Sequence, residues 1–140
     1  MEDRRTFLGI AAAALLPAGL AAQTSGQPAR ARSGDELARH PLTGPLEGFE
    51  LVLLQLNPAP QGSRSLGAGH RHPGPVLGYV AEGPLLFGTN HVDQTVPTGG
   101  TFFEPTGALH TTFASARADG PARVLVFMIV PKGAPLASPA

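Results

Sequence analysis

From Phe49 onward, short apolar runs alternate with clusters of glycine and proline. Each run has the length of a strand rather than of a helix. The pattern predicts strands over Phe49–Leu56, Pro75–Ala81, Leu85–Asn90, Val92–Val96, Thr101–Glu104, Leu109–Ser115 and Arg123–Val130, with turn residues between nearly all of them. Phe49 to Leu56 is apolar almost without a break, which predicts burial on both faces. Arg123 to Val130 is too short to cross a membrane as a helix, and its β-branched content predicts a central strand. Several short strands at this spacing imply an all-β fold, a sandwich or a closed barrel.

The flanks read differently. Met1 to Ala22 has paired arginines, an apolar run from Phe7 to Leu16, a breaker at Pro17 and small residues before a polar stretch. That is a secretory signal pattern, with cleavage expected after Ala21 or Ala22. Asp3-Arg4-Arg5-Thr6-Phe7-Leu8-Gly9 resembles a bacterial twin-arginine export signal, departing from it at Asp3 and Gly9. Such a signal implies export of a folded protein, able to enclose a metal before it leaves the cytoplasm, and a periplasmic or secreted location. Gln23 to Arg32 lacks apolar periodicity and reads as a linker. Ser33 and Glu36 fit a capping box, predicting a helical turn over Asp35 to His40 that Pro41 stops. His40, beside that proline, reads as a solvated residue. The expected organisation is a signal peptide over 1–22, a flexible linker over 23–36, one barrel domain over 37–132 and a flexible tail over 133–140.

Composition narrows the function classes. The chain has 140 residues, 42% of them hydrophobic, enough for one core. Its 18 glycines and 15 prolines favour many turns. Ten basic and ten acidic residues cancel, so nothing marks a nucleic acid or, after signal removal, a membrane as a partner. Cysteine is lacking, which excludes disulfides, thiolate metal sites and cysteine nucleophiles. Any metal must be held by nitrogen and oxygen.

Candidate ligands concentrate in Gly69-His70-Arg71-His72-Pro73. Side chains two apart on a strand emerge on one face, about 6.5 to 7 Å apart, so both imidazoles can converge on one ion. A third histidine, His110, follows a Pro105-Thr106-Gly107 turn that fixes where its strand begins.

These two segments resemble the paired motifs of the cupins, small β-barrels often holding a metal near the barrel mouth. In the first motif His70, His72 and Gly83 match, while Arg64 stands where a glycine belongs. In the second, Gly99, Pro105, Gly107 and His110 match, while Ala114 replaces an asparagine. The resemblance implies a single-domain cupin β-barrel of jelly-roll type, with His70, His72 and His110 as metal ligands. Its main departure is Val76, which occupies the position of the family's carboxylate ligand. Three neutral imidazoles then remain, and such a site should favour an anionic or chelating ligand. Glu82, His91, Asp93 and Glu104 read as solvated surface. Tyr79 is expected to face away from the metal, and Phe102, Phe103, Phe113 and Phe127 to pack in the core or on the sheets.

The expected cofactor is a divalent transition metal, Fe(II) favoured, with Mn, Zn, Ni or Cu also suited to imidazole. The leading reading is an exported dioxygenase-like oxidoreductase acting on a small molecule. Against it stands a non-catalytic module that binds a small molecule, with or without metal. Isomerase or lyase chemistry is disfavoured by the scarcity of inward titratable groups. The last apolar strand permits a homodimer.

Overall fold

The computed structural model describes residues 34–60 and 68–140. The export signal, most of the linker, Ser33 and Arg64 lie outside the described residues. The strands are β1 (Asp35–Pro41), β2 (Phe49–Leu56), β3 (His70–Arg71), β4 (Val76–Glu82), β5 (Leu85–Thr89), β6 (Val92–Val96), β7 (Thr101–Glu104), β8 (Leu109–Ser115), β9 (Arg123–Pro131) and β10 (Ser138–Pro139). A single 3-10 turn, Gly44–Leu46, joins β1 to β2, and there is no α-helix among the described residues.

Two five-stranded antiparallel sheets result, in the orders β1-β2-β9-β4-β7 and β10-β3-β8-β5-β6. From β4 onward the chain passes repeatedly from one sheet to the other, so neither sheet can form without its partner. This is an all-β double-sheet barrel. Seven of the strands fall where the apolar runs predicted, β2, β6, β7 and β8 with the same ends.

Alternation builds the core. On β9, Val124, Val126, Met128 and Val130 point inward and are buried, while Leu125, Phe127 and Ile129 point outward. Val52 of β2, Val76 and Val80 of β4, Leu85 and Phe87 of β5 and Phe102 of β7 complete the interior. Burying a side chain of this size contributes about 1.5–3 kcal/mol.

Four expectations are corrected. Asp35 to His40 is not a helical turn but an edge strand, because β2 offers it a free ladder from Pro41↔Glu50 to Asp35↔Gln55. Glu36, expected in a capping box, instead accepts from Arg39, which also donates to Glu50 at 2.7 Å. Burial of β2 on both faces is not found: Leu51 is exposed, since among the described residues no layer covers the outer face of the first sheet. Phe103 lies on that same outer face at 59% exposure, whereas Phe102 is buried. Past Gly133 the tail, expected to be flexible, returns to the second sheet, where Ser138 and Pro139 pair with Arg71 and His70 of β3.

Candidate metal centre

His70 and His110 are direct cross-strand partners on β3 and β8. Their approach depends on Gly69, which has φ +90° and where an added Cβ would stand 2.6 Å from the His110 carbonyl oxygen. Only glycine meets both demands. His72 follows β3 and keeps the inward phase of His70. Its backbone carbonyl accepts from the Gly107 amide at 3.0 Å, and the Arg71 guanidinium donates to the Gly107 carbonyl at 2.6 Å. Gly107 itself sits at φ +73° in the turn closed by Ala108 N–H to Pro105 C=O. One glycine turn is thus clasped by the segment that carries the other two histidines, and the three imidazoles are brought together.

One ring nitrogen from each of His70, His72 and His110 lies within 4.8 Å of the other two. His72 Nδ1–H donates to the Leu136 carbonyl at 2.7 Å. A carbonyl can only accept, so Nε2 of His72 carries the free lone pair, and it faces His70 Nε2 at 3.1 Å. Two nitrogens bound at about 2.1 Å to one ion at right angles stand about 3.0 Å apart, so this spacing fits a shared metal. His110 Nε2–H donates to the Thr112 carbonyl at 3.1 Å, leaving Nδ1 buried and without a hydrogen-bond partner among the described residues. The donor set and its orphaned lone pairs fit a divalent cation.

Burial lowers the pKa of all three imidazoles, with His110 brought down to about 4 by desolvation and by the neighbouring His70 and His72. At neutral pH the three are uncharged and ready to ligate. Phe87 and Phe113 flank His110, each with ring centroids 5.3 Å away. Around the histidines a cavity of about 90 Å³ is walled by Leu54, Leu56, Val76, Phe102, Val126 and Met128.

Glu104 was missed as a site residue. It is not solvated surface: it is fully buried, lines the same cavity, and its Oε2 stands 3.6 Å from His110 Nδ1. Neither carboxylate oxygen has a hydrogen-bond partner among the described residues. Burial pushes its pKa up to about 7. Because burial drives both groups towards their neutral forms, the Glu104–His110 contact is not an ion pair at neutral pH.

The remaining candidates stay outside the site. His40 is exposed on β1, His91 occupies the β5–β6 turn at φ 64°, and Asp93 is exposed on β6. Glu82 pairs with Arg123 at the surface. Tyr79 faces outward at 41% exposure, as strand parity from Val76 requires.

No protein-family model matches the sequence, and no curated protein sequence matches it. Solved structures similar to the chain include Fe(II) HppE in complex with substrate, at 21% identity over 56% of this chain and 45% of that one, TM-score 0.48. Oxalate oxidase with the substrate analogue glycolate is 25% identical over 58% of this chain and 41% of that one, TM-score 0.43. An RmlC-like cupin from Shewanella frigidimarina is 14% identical over 61% of this chain and 79% of that one, TM-score 0.46. The chain spans less than half the length of the HppE and oxalate oxidase chains.

Proposed function

We propose that this is a small exported cupin-type protein that holds Fe(II) on His70, His72 and His110 and oxidises a small molecule with dioxygen. The observation that carries the reading is the convergence of three ring nitrogens within 4.8 Å at the wall of a mostly apolar cavity. The chemistry such an ion supplies is electron transfer to dioxygen beside a coordinated substrate.

The chain's own contribution is positional. The Leu136 carbonyl fixes the ring of His72, the Thr112 carbonyl fixes that of His110, and apolar side chains wall the space around them. About 90 Å³ admits a ligand of a few heavy atoms or the end of a longer one. An anionic or chelating group suits a dication better than a neutral one does.

The first test is elemental analysis of the purified protein beside a His70→Ala/His72→Ala variant. Near-stoichiometric metal in the wild type and less than a tenth of it in the variant is expected; equal, sub-stoichiometric amounts in both sink the site. Protein loaded anaerobically with Fe(II) is then expected to consume oxygen with a diketone, thiol or catechol, and His110→Ala to abolish the uptake. Full metal without uptake across such a panel favours the non-catalytic binding module, for which the apolar lining is the supporting feature.

Export by the twin-arginine route is part of the proposal and rests on Arg4-Arg5 and the apolar run after them. Arg4→Lys/Arg5→Lys should hold the protein in the cytoplasm on cell fractionation; unchanged export removes that route. A homodimer through the uncovered outer face of the first sheet is likewise proposed, supported by exposed Leu51, Leu77, Tyr79 and Phe103.

A further inference from the structure

Glu104 is the least comfortable residue in the molecule. It is 0% exposed, and both carboxylate oxygens lack a hydrogen-bond partner among the described residues. Among the described residues, the cavity it lines contains three histidines and otherwise apolar side chains, with no lysine or arginine to balance it. A buried carboxyl group in this state is costly unless a proton or a cation meets it. A proton shared with His110 Nδ1 engages only one of the two oxygens. A metal beside His110 can engage the carboxylate and the orphaned Nδ1 together.

The strand register shows what the residue replaces. Val76 of β4 and Glu104 of β7 are direct antiparallel partners, and both point into the cavity. Side chains so paired have Cβ atoms about 4.5–5.5 Å apart, so a carboxylate on either strand serves the same space. We propose that Glu104 is the fourth protein ligand of the metal centre, supplying across the β4–β7 ladder the negative charge that Val76 does not. The inference rests on the three-histidine site proposed above. The carboxylate is not among the atoms of the 4.8 Å histidine cluster, so ligation asks for a rotation of the Glu104 side chain towards the cavity that it lines. A centre of three imidazoles and one carboxylate carries a net single positive charge with a divalent ion, rather than two.

Co(II) is the probe, its affinity measured by competition with a chelator and its environment by its visible absorption bands. Glu104→Gln, close in shape and uncharged, is expected to weaken Co(II) binding by more than the roughly 10- to 100-fold that loss of an outer-shell partner costs, and to shift the bands. The exchange variant Val76→Glu/Glu104→Val should recover most of the lost affinity, which a purely structural Glu104 would not allow. In the unaltered protein, infrared difference spectra on Co(II) addition should show the carboxyl bands of one buried side chain changing, a readout that needs no variant to fold. Wild-type Co(II) binding with an unchanged Glu104→Gln affinity and spectrum overturns this inference alone. No Co(II) binding by the wild type overturns the three-histidine site and this inference with it.

Discussion

A methyl group at Gly78 would collide with the ring of Phe102, which is buried against Phe87 at 4.1 Å between ring centroids and lines the metal cavity. Gly78→Ala is expected to cost about 1–3 kcal/mol in urea unfolding, the usual range for overpacking; a change below about 0.5 kcal/mol would mean that the Phe102 ring moves aside freely. The same neighbourhood explains which site residues the sequence could reveal. His70 and His72 share a strand phase and His110 follows a recognisable turn, so all three were legible. Glu104 was not, because counting back from His110 crosses Pro105-Thr106-Gly107, where a glycine at φ +73° destroys strand parity. The usable signal lay within β7: a residue two from Glu104 shares its face, and that residue is Phe102. The adjacent Phe103 is equally apolar, so the pattern alone gave no phase for the strand.

Among the elements, the short β10 has an influence beyond its two residues. It extends the second sheet beyond β3, and just before it the Leu136 carbonyl fixes the tautomer of His72. Deleting residues 136–140 is expected to lower Co(II) affinity about 10- to 100-fold while the circular dichroism of the barrel is retained; full affinity in the truncated chain would show that His72 orients itself. Pairing of this kind was illegible in the sequence, since Leu136 to Ala140 shows neither alternation nor an apolar run. β1 misled for a different reason. Its Ser33–Glu36 spacing satisfied a local helix rule, but the open edge of β2 is a tertiary demand that a seven-residue segment meets better as a strand.

Across the whole molecule, the outer face of the first sheet carries an apolar row formed by Leu53, Phe127, Leu77 and Phe103 on four neighbouring strands, in register with one another. Exposed apolar surface of this continuity is a common mark of an interface. Under the homodimer proposal, Phe103→Asp should halve the mass observed by sedimentation, and a wild-type mass of one chain would remove the dimer. The barrel itself was readable because its strands are short, apolar and bounded by glycine and proline. The uncovered face was not, because an apolar residue looks the same in sequence whether the chain or a partner covers it.

His70 and His110 belong to one sheet and Glu104 to the other. With the ligand set proposed here, an ion in the cavity would act as a rivet through the sandwich, joining layers that at this point meet through packing and the Glu104–His110 contact. Opening the barrel would then require the ion to leave first. Metal release would become the latch on unfolding, and amide exchange in β7 and β8 would slow by a common factor on loading.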